Sequence, residues 1–269
     1  MRRAILKMRR ACGLTNVTTY FDGIRYRLGL NEYIDSEIYL QGFFEEDTTY
    51  ALRKLVRPGM TIFDIGANSG CHTMRMAKLT GETGTVVAFE PVSWAQEKLE
   101  INMALNNFGN IVLEKMGLSD KPAKNVEVEI AASWPVRTHN APPPNRLHPI
   151  HKGKLIKAQI DFSTMDNYVN SRKVEKVDLI KIDTDGYELR VLHGGARTLK
   201  QFTPILIVEM DQNTLKEKGD TLKDLVSFLE RFGYKFYSVE NGFRNLNKAD
   251  ILSSKPGKTR SANIVALAG

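Results

Sequence analysis

Short apolar runs alternate with amphipathic stretches along most of the chain. "TIFDI" (61–65), "TVVAFE" (85–90), "NIVLEKMGLS" (110–119), "VDLIKID" (177–183), "PILIVEM" (204–210), "YKFYSVE" (234–240) and "SANIVALA" (261–268) read as strands. Between them the apolar positions recur at helical spacing. Cys71, Met74 and Ala77 share one face of a helix near 70–80. Trp94, Ile101, Leu105 and Phe108 mark a second helix, opened by a Ser93–Gln96 capping box. Leu189, Leu192, Ala196 and Leu199 mark a third. Leu222, Leu225, Val226 and Leu229 mark a fourth, capped by Asp220 or Thr221 and ended by Gly233. Near-continuous apolar strands alternating with such helices predict an α/β fold, with a mostly parallel sheet covered on both faces.

Two regions depart from this rhythm. Residues 17–47 alternate apolar and polar positions around Asp22-Gly23, which predicts a hairpin and a lead-in segment. "TTYALRKLVRPGM" then predicts a helix closed by Pro58-Gly59. Residues 121–163 contain the proline-rich "NAPPPNRLHPIH" and predict a hairpin or lid inserted at the ligand end of the sheet. The expected division is 1–50, a basic segment, hairpin and lead-in helix packing on the core, and 51–269, the main domain with its insertion.

Composition narrows the class only a little. The chain has 269 residues, 42% hydrophobic and 26% charged, which suits one large α/β domain or two small ones. No apolar run is long enough to span a bilayer. "MRRAILKMRR" is basic, with an apolar stretch too short for a secretory signal, and reads as a frayed cationic terminus; contact with an anionic surface is the lesser alternative. The net charge of +7 favours anionic partners without naming one. No basic block is interleaved with aromatics, so no specific nucleic-acid platform is expected. Two cysteines, Cys12 and Cys71, make no disulfide framework, and a reducing, cytoplasmic location is the simpler expectation.

The chemistry lies at the strand ends. Asp64, Glu90, Asp183 and Glu209 all fall where an open α/β sheet binds ligands. Gly66 and Gly70 permit a tight turn and close backbone approach, and the helix that follows offers free N–H groups. Glu90 stands 20 residues beyond Gly70, where a carboxylate can accept both hydroxyls of a ribose. An adenosine ligand follows. The Gly66-x-x-x-Gly70 spacing differs from a dinucleotide fingerprint, and the Asp64 carboxylate repels phosphate. S-adenosylmethionine, which has no phosphate and carries a sulfonium and an ammonium, fits better than a nicotinamide dinucleotide.

These residues resemble a known family. "FDIGANSGCHTMRMA", "VVAFEP", "ALNN", "MGLSD" and "VDLIKIDTDGYELRVLHGG", with the upstream "IDSEIYLQGFFEEDTT", are together similar to the FkbM-type S-adenosylmethionine-dependent methyltransferases of the class I, Rossmann-like fold. The resemblance runs over roughly residues 31 to 241. It implies a seven-stranded sheet with an antiparallel last strand, and O-methylation of a small-molecule, sugar or polyketide-like hydroxyl. It places Asp64, Gly66, Asn68 and Gly70 around the methionine part, with Ala67 and Thr73 beside them. Glu90 and Pro91 then lie at the ribose, Leu118 and Ser119 by the adenine, and Asp183 near the transferring methyl. Ser69, His72 and Asp185 depart from the family's usual residues and weaken any transfer of acceptor identity.

Asp183 is the first candidate for a base or an acceptor-orienting group, with Asp185 and Glu209 second. His72 is a candidate contact for the methionine carboxylate, and His193 reads as an exposed helical residue. Glu45 and Glu46 are either solvated capping acids or, by family position, neighbours of the cofactor pocket. No metal is expected: His148 and His151 lack a nearby cysteine or acid. The alternatives are a cofactor-binding module without turnover and a base methyltransferase acting on nucleic acid. "DTDG" after the fourth core strand lacks the Pro-Pro-aromatic grip of the latter. The oligomeric state is not legible.

Overall fold

The computed structural model describes residues 1–131, 155–239, 242–253 and 262–269. The chain opens with helix α1 (Arg2–Ala11), the hairpin β1 (Asn16–Phe21) and β2 (Ile24–Gly29), and helices α2 (Tyr33–Gln41) and α3 (Glu46–Leu55). The hairpin forms as expected, because Asp22 and Gly23 both adopt positive φ, at 49° and 74°, in keeping with the right-handed twist of the strands. The frayed terminus is corrected. Leu6 of α1 is buried, and Arg10 donates to the Leu30 carbonyl at 2.8 Å and to Ser36 Oγ at 2.7 Å. Those bonds anchor the helix.

The alternating region follows as β3 (Thr61–Ile65), α4 (Cys71–Thr80), β4 (Thr85–Phe89), α5 (Ser93–Asn106), β5 (Ile111–Glu114) and β6 (Gly117–Leu118). The insertion contributes β7 (Ala123–Ala131) and β8 (Leu155–Ser163). Next come α6 (Met165–Arg172), β9 (Leu179–Ile182), α7 (Glu188–His193), α8 (Ala196–Phe202), β10 (Ile205–Met210), α9 (Gln212–Glu217) and α10 (Leu222–Arg231). β11 (Tyr234–Ser238), β12 (Arg244–Leu246), α11 (Lys248–Ser253) and β13 (Ala262–Ala268) complete the order.

The main sheet has eight strands in the order β12-β11-β13-β10-β9-β3-β4-β5. β13, the last strand in the chain, runs antiparallel to both neighbours, as expected. Seven strands were expected. The eighth, β12, is a three-residue edge strand that pairs Phe236 with the buried Leu246 and is too short to carry a period in the sequence. The chain steps from β3 outward to β4 and β5, then returns to β9 and β10 on the other side. The reversal between β3 and β9 is the topological switch point.

Strand alternation divides the core. Phe63, Ile65, Phe89, Ile180 and Ile182 face one layer, while Ile62, Ala88, Leu179, Ile207 and Val265 face the other. The second layer also takes in Leu6, Ile24, Tyr26 and Leu52, so the first 50 residues share the core of the sheet. By the same alternation Asp64, Lys181 and Glu209 lie on this second face.

Several helix details differ from expectation. In α5 Ile101 is 48% exposed, whereas Ala95, Leu99 and Asn102 are buried, so the helix is rotated from the expected stripe. The Ser93–Gln96 capping box is absent: Val92 is the cap residue, and Gln96 Nε2 donates to the Glu90 carbonyl at 2.8 Å. The helix after β9 is two helices, broken where Gly194 packs on the Ser119 carbonyl and Gly195 on Met165. α10 is capped by Thr221, whose Oγ1 accepts the Asp224 N–H at 3.1 Å. In the insertion, β7 and β8 pair antiparallel and β6 joins β8, giving a three-stranded sheet. The proline-rich tract with His148 and His151 lies outside the described residues.

One glycine holds the switch point together. Gly66 has φ +81°, and a Cβ there would overlap the Asp183 carbonyl oxygen. Gly66→Ala should lower the unfolding free energy by roughly 2–4 kcal/mol, combining backbone strain with overlap. Gly219→Ala, at φ +84° with open space around it, should cost only the backbone part, about 1–2 kcal/mol. Urea denaturation of the two variants checks the difference; equal losses would refute the packing account.

Candidate active site

The turn after β3 is built by backbone bonds to its neighbour strand. The N–H groups of Gly66 and Ala67 both donate to the Phe89 carbonyl, at 3.0 and 3.1 Å. Asn68 takes φ +50°, a conformation asparagine tolerates, and its Oδ1 accepts the Ser69 N–H at 2.6 Å. Gly70 then caps α4 with φ +84°, against Leu99 of α5. Both glycines are close-packed, Gly66 on the Asp183 carbonyl and Gly70 on Leu99.

Glu90 is the hinge between this turn and α5. One carboxylate oxygen accepts the Asn68 N–H and the other the Val92 N–H, each at 2.8 Å. Burial raises its carboxyl to about 7; the two backbone bonds favour the charged form, and the nearby Asp64 and Asp185 oppose it. Pro91 follows, half-buried, in the loop that leads to α5.

A buried charged layer lies beneath the turn. The register of β3 and β9 sets Asp64 directly opposite Lys181. The Lys181 ammonium, 2% exposed, donates to Asp183 Oδ2 at 2.9 Å and stands 3.9 Å from Asp64 Oδ1. Asp64 Oδ2 accepts the Thr73 hydroxyl at 2.6 Å, while its Oδ1 has no hydrogen-bond partner among the described residues. Burial opposes the charge on Lys181, yet Asp183, Asp64 and Glu45 together raise its pKa. Sequence reasoning missed this residue. A lysine inside the apolar run "VDLIKID" was the available signal, since a cation there must find partners.

A second knot closes the layer from above. Glu45, at the start of α3, adopts φ +49°. Its Oε2 accepts Thr48 Oγ1 at 3.0 Å and Asn263 Nδ2 of β13 at 3.1 Å, and lies 3.2 Å from His72 Nε2 of α4. Burial opposes both charges, but mutual attraction prevails. Glu45 is drawn down to about 2 by His72, Lys181 and Thr48. Cys71 and Glu45 raise His72 to about 10. His72 Nε2 thus faces a carboxylate of the protein itself.

The remaining acids crowd the same strand ends. Glu209, opposite Asn263 in the sheet, has its carboxyl pushed well up by burial and by Asp183, Glu188, Asp185 and Glu45. Glu188 Oε1 accepts the Thr184 N–H at 2.8 Å and the Gly186 N–H at 3.2 Å, bracing a turn in which Asp185 has φ +52°. The structure thus brings Asp64, Gly66, Ala67, Asn68, Gly70, Thr73 and Glu90 into one bonded unit, with Asp183, Asp185 and Glu209 beside it. Leu118 is buried with Phe89 in the other layer, and the Ser119 N–H donates to the Ser163 carbonyl at 2.9 Å. His193 is exposed, 4.5 Å from the Phe228 ring. Among the described residues no group of three His, Cys, Asp or Glu side chains is arranged to hold a metal ion. A surface depression of about 570 Å³, lined by Thr61, Thr85 and Lys176, lies at the opposite end of the strands, away from the acids.

The Methyltransferase FkbM domain family matches residues 64–236, and the chain belongs to that family. That family is described as a methyltransferase domain. Two named relatives are each 25% identical. "Methyltransferase 1" of Beauveria bassiana (strain ARSEF 2860) matches over 49% of this chain and 57% of its own length. "2-O-methyltransferase NoeI" of Sinorhizobium fredii (strain NBRC 101917 / NGR234) matches over 66% and 74%. The chain therefore spans little more than half of the fungal relative. Among solved structures, the methyltransferase FkbM of Methylobacillus flagellatus KT is 16% identical, with a TM-score of 0.46, over 86% of this chain and 52% of that one. Among the described residues no helix is long and apolar enough to cross a membrane.

The Glu45–His72 pair gives stability a defined pH window. Glu45 contributes fully above the ordinary carboxylate range, and its share is lost as pH falls toward 2. His72 contributes fully below the ordinary imidazole value, and its share is lost as pH rises through about 10. Between pH 7 and 10 the unfolding free energy should therefore fall more steeply in the wild type than in His72→Phe, by about 2 kcal/mol. Urea titrations at several pH values check this, and parallel slopes would contradict it.

Proposed function

We propose that this chain transfers the methyl group of S-adenosylmethionine to a hydroxyl of a small molecule, sugar or polyketide-like acceptor. The observation that carries the reading is the Glu90 carboxylate, bonded to the Gly66–Gly70 turn and standing at the second strand end, where it can accept ribose hydroxyls. When bound, the donor supplies an electrophilic methyl on a sulfonium. The chain's own contribution is positional: two reacting atoms must be close and collinear. Asn68, Gly66 and Ala67 shape the turn that would hold the donor. Leu118 and Ser119 are proposed beside the adenine, on the family's pattern.

Asp183 keeps its role as first candidate for the group that orients the acceptor. Lys181 fixes its Oδ2, which leaves Oδ1 to accept a hydroxyl proton or a hydrogen bond. Glu209 and Asp185 are the second candidates. Burial and the neighbouring acids push the Glu209 carboxyl well above the ordinary carboxylate range. The hydroxyl acceptor is supported by the name of the rhizobial relative, a 2-O-methyltransferase. The acids around the site and the absence of a phosphate-type glycine pattern favour this donor over a dinucleotide.

Two measurements test the reading. Glu90→Ala should weaken S-adenosylmethionine binding by about 1.5–3 kcal/mol, the usual worth of hydrogen bonds to a charged group. In the wild type, ribose hydroxyls favour the ionised carboxylate, so binding near pH 6.5 should release a proton from Glu90, whose pKa is about 7. Affinity should rise with pH and level off above that value. Calorimetry in buffers of different ionisation enthalpy reads both; tight binding of a nicotinamide dinucleotide in place of the sulfonium would sink the proposal. With a methyl-labelled donor and a panel of hydroxylated acceptors, Asp183→Asn should lose turnover about 10²–10⁴-fold with donor affinity little changed.

A further inference from the structure

We infer that the outward face of α1 (Arg2–Ala11) is a docking surface for an anionic lipid bilayer, on which the helix lies in the plane of the headgroups. This is independent of the methyl-transfer reading.

The helix has two faces with opposite tasks. The inner one holds it to the protein: Leu6 is buried, Arg10 donates to the Leu30 carbonyl and to Ser36 Oγ, and the Arg2 guanidinium lies 4.6 Å from the centre of the Phe21 ring. At about 3.6 residues per turn, Ala4, Met8 and Ala11 fall together on the opposite side. All three are exposed, Met8 by 61%. Cys12 and Leu14 carry the exposed apolar strip past the helix end. Arg3 and Lys7, also exposed, flank it along one side. Apolar surface turned to water and bordered by cations is the pattern of a helix that lies in a membrane interface.

Charge and size identify the occupant. Residues 1–21 contain five basic and no acidic side chains, and Asp22 is the first carboxylate. The helix therefore adds only positive charge to this face, which complements anionic headgroups. A nucleic acid would be met by basic side chains at the centre of the face, where this helix has Met8 and two alanines. A groove in a partner protein would take large apolar anchors from successive turns, and this face offers only Met8. A narrow apolar strip beside cations suits shallow insertion beneath the headgroups. Ten residues rise about 15 Å, too little to cross a bilayer. Because α1 is already folded and anchored through Leu6 and Arg10, docking requires no ordering of the helix.

Flotation of the full chain with lipid vesicles is the test. At about 0.1 M salt the chain should bind vesicles of phosphatidylcholine with about 30% phosphatidylglycerol, and bind pure phosphatidylcholine at least about tenfold more weakly. Raising the salt to about 0.5 M should release it. Arg3→Glu/Lys7→Glu should weaken binding to the anionic vesicles at least about tenfold, and Met8→Gln, which leaves the charge unchanged, at least about threefold. Wild type that stays in solution beside the anionic vesicles overturns the inference, and so does binding that neither change weakens. Binding lost on charge reversal but untouched by Met8→Gln also overturns it, because charge alone would then hold any polyanion. Tighter retention by single-stranded polyuridylate than by the vesicles assigns the face to nucleic acid and has the same consequence. The altered side chains are exposed, and an unchanged urea midpoint verifies folding. Should the charge reversal not fold, Arg3→Gln/Lys7→Gln is put through the same flotation and must show a loss of at least about threefold.

Discussion

The structure depends on one buried ammonium. Lys181 lies in the middle of the main sheet, with Asp64 across the strand and Asp183 two residues on. An unpaired cation there would cost several kcal/mol, and so would each carboxylate left without it. Together they form a charged layer that the fold tolerates only because β3 and β9 run parallel in this one register. A slip of β9 by one residue would turn Lys181 and Asp183 toward the apolar layer of Phe63 and Ile180 and leave Asp64 without its cation.

That requirement explains much of what surrounds it. The carbonyl of Asp183 comes so close to the first turn that only glycine fits at 66. Thr73 donates to Asp64 from the helix above, which fixes the first turn of α4 over the sheet. Asn102 of α5 takes the Arg27 N–H and donates to the Ser69 carbonyl, tying the early hairpin to the same turn. The polar contacts near the strand ends are thus a connected set, and the apolar layers on either side keep water from competing with them.

The amino-terminal segment belongs to this set as well. Glu45 links α3, α4 and β13, so residues separated by more than two hundred positions meet at one oxygen. Such a junction fixes the start of α3, the first turn of α4 and the start of β13 relative to one another. It also places an N-terminal residue, outside the region matched by the family, at the edge of the candidate site.

By itself the sequence determined the α/β class, the core strands, the hairpin at Asp22-Gly23, a cap at Asp220 or Thr221 and the acids at the strand ends. All of these are local: apolar period, turn chemistry and distance along the chain. It misjudged the exposed face of α5, the break at Gly194-Gly195 and the order in α1, because each is decided by a partner far away in the chain. The edge strand β12 was hidden for a related reason, since three residues carry no period until a neighbour pairs with them. Only the tertiary structure decided that Asp64 faces Lys181, that Glu45 reaches His72 and Asn263, and that the glycines of the turn serve packing. Register and long-range contact are properties of how strands and helices are set side by side, and no short window of residues encodes them.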